Sequence, residues 1–248
     1  MAALAVEPLP ALPEVRPGDD LAALLGAAGA RLVPPLGPGD VLAVAHKVVS
    51  KAEGRLRALA AVDPGERARA LAAEHDKDPR HVQAILDETA ELLRADRGRL
   101  ICRTRHGFTC ANAGVDRSNA GAPDTLVLLP EAPDRSAAAL RERLGAGAVI
   151  VTDSWGRPWR QGQVEVAIGS AGLAPLADWR GVRDRDGRAM AASVIALADE
   201  VAAAADLVRG KDSGEPAVRI RGLEASLSAE DGPGAAALVR PPEEDLFH

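Results

Sequence analysis

The 248 residues carry 30 Lys and Arg against 36 Asp and Glu, a formal net charge of −6; with no basic run and no interleaved aromatic residues, composition argues against a nucleic-acid partner. Hydrophobic residues make up 47%, yet there is no Tyr and only two Phe and three Trp, so the core of one large domain or two small ones must be built from Ala, Leu, Val and Ile. No window nears the ~18 uninterrupted apolar residues of a membrane span, and "MAALAVEPLPALPEV" lacks the basic start and apolar run of an export leader, which leads to the expectation of a soluble cytoplasmic protein.

After an extended, proline-rich start, "GDDLAALLGAA" reads as a helix opened by Asp19 or Asp20. "GDVLAVAHKVVS" reads as a strand leaving a Gly-Asp turn and delivering its end to "SKAEGR". Two helices with one start signal follow, "DPGERARALAAEH" and "DPRHVQAILDETAELLR", with Asp63 and Asp78 as caps and Pro64 and Pro79 at the first helical position. In the second, Val82, Ile85, Leu86, Leu92 and Leu93 form an apolar stripe. "RLICRT" and "TLVLL" read as strands on either side of "NAGVDRSNAG", which has neither periodicity. "DRSAAALRERLG" is a helix leading into "AVIVTD", an apolar run without alternation, as expected of a strand buried on both faces and ending in Asp153. An Ala-rich helix is expected near 189–208, with Val194, Leu197, Val201 and Val208 on one face and Gly210 as its cap, and "PAVRIRG" reads as a late strand. There is no internal repeat, and strands and helices do not alternate strictly enough for a doubly wound sheet, so the fold class is mixed α+β over 1–248, as one ligand-handling domain or two subdomains.

Four segments hold residues suited to chemistry. In "NAGVDRSNAG" glycines allow backbone N–H groups to approach an anion while Asp116 and the Asn side chains offer oxygens to a hard cation; the same residue types also simply build turns. "SKAEGR" sets Lys51, Glu53 and Arg55 around a glycine, either as a phosphate grip or as a solvated turn. "VTDSWGRPWRQGQ" places Asp153 and Ser154 at a strand end, followed by Arg157 and Arg160. "ADLVRGKDSGEP" follows a helix, and helix termination accounts for much of it. Asp116 and Asp153, with the Ser154 hydroxyl, water and phosphate oxygens, make a sensible site for Mg²⁺ or Mn²⁺, and Lys51, Arg157 and Lys211 would neutralise the remaining phosphate charge. No G-x-x-x-x-G-K-[ST] occurs, so a nucleotide would be held without a P-loop. Cys102 and Cys110 match neither zinc nor redox spacing and read as buried thiols; His75 and His81 read as helix-surface residues, with His46 and His106 open.

These four segments, in this order, resemble the coenzyme F420:L-glutamate ligase (F420-0 gamma-glutamyl ligase) family, in the phrases "GDVLAVAHKVVSKAEGR", "HGFTCANAGVDRSN", "VIVTDSWGRPWRQGQ", "AIGSAGLAPLADWRGVRDRDGR" and "ADEVAAAADLVRGK". The resemblance implies a family-specific mixed fold assembled as an intertwined homodimer. It implies a GTP-dependent, GDP-forming ligase joining L-glutamate to F420-0, assisted by Mg²⁺ or Mn²⁺ and K⁺. Carried over phrase by phrase, Asp116, Asp153 and Ser154, the last where a Thr is usual, fall on metal positions. Leu12, Pro13, Glu14, Val15, Lys51, Asn119 and the stretch Arg209, Gly210, Lys211, Asp212, Ser213, Gly214, Glu215, Pro216 fall on GTP positions, as does His46, where a Ser is more usual. "RPPEEDLFH" resembles the junction at which a longer, bifunctional form continues into a flavin-binding domain. Two other readings stay open: a relative ligating another amine to another carboxylate, and an inactive nucleotide-binding subunit. No general base for the glutamate amine follows from the pattern, with Glu165 and Glu200 as the two candidates.

Overall fold

The structure, a computed structural model, describes residues 3–245; the last three residues of "RPPEEDLFH" lie outside them. The chain begins with β1 (Ala5–Pro8) and α1 (Leu21–Gly29), the latter capped by the Asp20 carboxylate on the Ala23 N–H. β2 (Val41–Ala45) runs straight into α2 (His46–Ala52), then β3 (Leu56–Ala58). α3 (Glu66–His75) and α4 (Pro79–Glu88) precede the hairpin strands β4 (Thr89–Asp96) and β5 (Arg99–Thr104), and β6 (Thr109–Ala111) adds to that sheet. β7 (Thr125–Val127) pairs with β3, and α5 (Pro133–Leu144) leads to the long hairpin β8 (Ala148–Arg157) and β9 (Arg160–Ala171). A small β10 (Ala177–Asp178) and β11 (Val194–Ile195) ladder, α6 (Leu197–Asp206) and β12 (Ala217–Arg221) complete the regular elements.

The main sheet has the order β1-β12-β2-β8-β9 and is antiparallel throughout except for the β2–β8 pair. Both of its faces are covered. Leu42, Val44, Val149 and Val151 point into one aliphatic cluster with α1 and α5, while Val41, Ala43, Ala148 and Ile150 point into another with α6. That is why "VLAVA" and "AVIVT" are continuously apolar. A third cluster joins α3 and α4 to Leu100, Cys102 and Leu126, on the side carrying β4–β6. The architecture is mixed α+β, and among the described residues no helix is long and apolar enough to cross a membrane.

Several expected elements change. The strand expected over "GDVLAVAHKVVS" stops at Ala45, and "HKVVSKA" is helical; Val49 seats in the main cluster, so tertiary packing outweighs the β-preference of its two valines. The expected helix over 78–94 ends at Glu88, where the Thr89 hydroxyl donates to the Ile85 carbonyl at 2.6 Å. Leu92 and Leu93 lie instead on β4, because Arg97 and Gly98, at φ 49° and 74°, form a tight turn that folds 89–96 back on 99–104. Asp78 caps α4 as expected, but α3 begins at Glu66 with Gly65 at its cap, past Asp63 and Pro64. His75 and His81 are half-buried rather than surface residues, and burial pushes His81 down from its ordinary value. The Ala-rich helix covers only 197–206: Val194 pairs in β11, Val208 lies beyond the C-cap Leu207, and Gly210 is not in the left-handed region. Asp153 does not end a strand, since β8 continues to Arg157. The buried Cys102 and Cys110 face each other across β5 and β6.

Candidate functional site

Sheet direction explains how distant phrases meet. β1, β2 and β8 run in one direction with β12 opposed, so the residues following β1, following β2 and preceding β12 all lie at one edge. The Leu12 N–H donates to the Gly214 carbonyl and the Ala45 N–H to that of Pro216, tying these segments together. β2 loses its place beside β8 at Ala45↔Thr152, so Asp153 and Ser154 are the first β8 residues past the parallel pair, in the crevice beyond its carboxyl ends. A bulge between Val151 and Thr152 in the β8–β9 ladder falls at the same level and resets which side chains share a face.

The crevice is a cavity of about 640 Å³, within the range of small-molecule sites. Every metal- and nucleotide-position residue implied by the resemblance lines it except Ser213, whose hydroxyl donates to the Gly210 carbonyl. Arg157 is not on the wall; β8 carries it to the hairpin end, where its guanidinium donates to the Gln161 carbonyl. Lys47, Ser118, Gln163, Glu165 and Thr152 are on the wall and had not been singled out as ligands. Lys47 is four residues before Lys51 on α2, a spacing that places both on one helix face once "HKVVSKA" is read as a helix.

Most of the charged groups on the wall have a partner. Asp153 Oδ2 accepts from Trp155 Nε1 at 2.8 Å, Oδ1 from the Ser154 N–H at 2.8 Å, and His46 Nε2 stands 3.4 Å from Oδ1. Burial pushes the Asp153 carboxyl up, but the His46 ring, the indole and the amide together turn it below the usual carboxylate range. On the opposite face of β8, Ser154 Oγ donates to Glu165, its cross-strand neighbour. Arg209 lies 2.6 Å from Glu165 Oε2 and Lys211 3.1 Å from Oε1. Burial raises Glu165, and Arg209, the Ser154 and Thr152 hydroxyls and Lys211 more than reverse it. Depressed and fully engaged, Glu165 is a poor general base, and Glu200 is exposed on α6 away from the cavity.

Across the cavity, Asp116 is fixed by an antiparallel bridge to Val127 and receives the Ser118 N–H on Oδ1 at 2.9 Å and the Lys47 ammonium on Oδ2. Burial would raise it; Lys47 and Ser118 hold it down to about 2. Lys51 Nζ meets Glu14 Oε1 at 2.5 Å, and a Cβ at Gly121 (φ +81°) would sit 2.7 Å from that same oxygen, so the "SNAG" turn passes close against the pair. Asn119, itself at φ 53°, reaches the Lys211 carbonyl at 3.5 Å. Among the described residues no three His, Cys, Asp or Glu side chains gather into a cation cage. Two ionised carboxylates and a hydroxyl lining the same cavity do fit the donor chemistry of a hard divalent ion that completes its shell with water and phosphate oxygens.

The F420-0:Gamma-glutamyl ligase family model matches residues 11–222. Among similar proteins, the coenzyme F420:L-glutamate ligase of Methanopyrus kandleri is 48% identical over 98% of this chain and 97% of its own length. Those of Halorubrum lacusprofundi, 48% identical over 87% and 86%, and Methanothermobacter thermautotrophicus, 44% over 95% of each, are comparable. With a match spanning most of its length and relatives this similar from end to end, the chain belongs to the F420-0:gamma-glutamyl ligase family.

Proposed function

We propose that this protein is a ligase of coenzyme F420 biosynthesis that couples GTP cleavage to amide formation between the carboxylate of F420-0 and the amine of L-glutamate, with GDP and phosphate as the other products. The observation that carries the reading is the convergence on one cavity of Asp116, Asp153 and Ser154 with Lys47, Lys51 and Lys211. A carboxylate is a poor electrophile. Transfer of the γ-phosphoryl group makes an acyl phosphate as the β–γ bridge bond breaks; the glutamate nitrogen then forms the C–N bond, phosphate leaves with the acyl-oxygen electrons, and the amine proton goes to solvent. Asp116, Asp153 and Ser154 would hold Mg²⁺ or Mn²⁺, which when bound supplies charge neutralisation to the transferring group. The lysine ammoniums neutralise the remaining phosphate charge, the Leu12–Val15 and Arg209–Pro216 segments embrace the nucleotide, and Asn119 and His46 offer polar contacts to it. K⁺ assists, and the working form is a cytoplasmic homodimer.

The test is positional isotope exchange. GTP bearing ¹⁸O at the β–γ bridge, incubated with enzyme, Mn²⁺ and F420-0 but no glutamate, scrambles the label as GDP's β-phosphate turns before the phosphoryl group returns, and hydroxylamine traps the acyl hydroxamate. Scrambling without F420-0 would mean a phosphorylated enzyme, and GTP hydrolysis indifferent to both co-substrates would mean a phosphohydrolase. Either result defeats the reading.

A further inference from the structure

Three lysines face the cavity, and each is neutralised by a carboxylate: Lys51 by Glu14, Lys211 by Glu165, and Lys47 by Asp116. Only the last carboxylate is one assigned to the divalent ion. Lys47 is held closely there: its ammonium lies on Asp116 Oδ2 and 2.5 Å from Ser118 Oγ, and the Ser118 hydroxyl also donates to Oδ2 at 2.9 Å. The carboxylate that would hold an ion is thus already shared by a cation and a hydroxyl. A divalent ion arriving alone meets a like charge on its own ligand.

A polyphosphate arriving alone meets the opposite difficulty. Six Asp and Glu against four Lys and Arg line the cavity, so its wall is net negative before anything binds. Neither half of a metal–nucleotide complex is welcome by itself, and Lys47 is the group able to reconcile them. Its ammonium is a point charge with three rotatable donors on a flexible stem, and the side chain is part-exposed on the cavity wall rather than sealed beneath it. We propose that Lys47 is the built-in counter-cation of Asp116, ceding that carboxylate to the divalent ion and moving onto a phosphate oxygen of the nucleotide that arrives with it. The inference rests on the metal and nucleotide reading above. It makes binding of ion and nucleotide cooperative: the ion displaces the ammonium, and the nucleotide gives it a new partner.

The consequence is a pair of effects of opposite sign. Without nucleotide, Lys47→Met relieves the competition, and Mn²⁺ binding followed by electron paramagnetic resonance tightens by about tenfold. With Mn²⁺ saturating, the same substitution weakens GTP binding by about tenfold or more, because a charge-assisted contact is lost. Lys47→Arg keeps the charge and leaves nucleotide-free Mn²⁺ affinity near wild type. Lys47→Gln, which keeps a polar but uncharged side chain, is measured beside Lys47→Met so that a folding defect in one, seen by thermal melting, does not decide the outcome. Asp116→Asn is the control for the underlying reading and is expected to weaken Mn²⁺ binding. If it does so while both neutral Lys47 variants bind Mn²⁺ no more tightly than wild type, the counter-cation role is overturned and the metal assignment stands. If Asp116→Asn leaves Mn²⁺ binding unchanged, the metal assignment falls and this inference with it.

Discussion

Asp116 and Asp153 share an assigned role but are built differently, and the difference separates stability from activity. The Asp153 side chain is 15% exposed and accepts from two fixed donors, the Trp155 indole N–H and the Ser154 amide. An Asn there must turn its own NH₂ toward one of them, leaving a buried donor unpaired at a cost of about 1–3 kcal/mol. Asp116 is 44% exposed and one of its partners is a lysine ammonium on a long flexible stem, so Asp116→Asn is absorbed locally. Both substitutions are expected to lower ligation by at least about a hundredfold, since each removes charge from the ion, but only Asp153→Asn should lower the melting temperature clearly. Ligation rate and thermal melting on the same preparations check this, and near wild-type ligation by either variant with saturating Mn²⁺ would remove that residue from the metal site. The acid behaviour of Asp116 follows from the same contacts. Its folded pKa, at about 2, lies below its ordinary value of 3.8, so its contribution to stability is full above the unfolded value and is lost as pH falls toward 2. Exposure keeps that contribution small.

At the scale of elements, the hairpin β8–β9 is the site's backbone, and its seat against α5 is tight. A Cβ on Gly169 would stand 2.4 Å from the Pro133 carbonyl oxygen, where the start of α5 crosses β9. Backbone cannot give way as a side-chain tip can, so Gly169→Ala is expected to cost about 1–3 kcal/mol, in the range of overpacked cores. Gly156, on the same hairpin, has open space around its Cβ position and no positive φ, and Gly156→Ala should be neutral or slightly stabilising. Urea denaturation of the two variants decides; equal midpoints would mean that α5 is free to shift. This hairpin also marks what the sequence did not disclose. "AVIVT" was legible as a doubly buried strand, but its continuation from Ser154 into the hairpin was not, because that part projects past β2 and, Trp155 apart, carries mostly polar residues and glycines. "HKVVSKA" was hidden for the reverse reason: two valines mimic a strand, and only the third dimension puts Val49 in the core and Lys47 and Lys51 on the cavity.

For the whole molecule, the site's composition was more legible than its geometry. Asp116, Asp153, Lys51 and the 209–216 stretch stand out by residue type and turn signals, but their convergence depends on the parallel β2–β8 pair and the antiparallel β12 between β1 and β2, an order that chain sequence does not declare. Lys47 was passed over, and Glu165 was named only as a candidate base and not as a partner of Arg209 and Lys211, because charged residues on a helix or strand ordinarily face water. A second feature of the surface bears on assembly. In a chain this poor in aromatic residues, Trp179, Val182, Val194 and Ile195, all around the β10–β11 ladder, remain 37–48% exposed. Apolar side chains clustered on one projecting ladder mark association surfaces more often than idle surface. The homodimer proposed above would cover them. Light scattering of the wild type at micromolar concentration should therefore give twice the 25.7 kDa chain mass, and Val182→Asp, which places a charge in the loop beside that ladder without touching the cavity, should shift the protein toward monomer. A monomeric wild type that ligates at full rate would exclude the dimer as the working form. A wild-type dimer unaffected by Val182→Asp would keep the dimer and move its interface elsewhere.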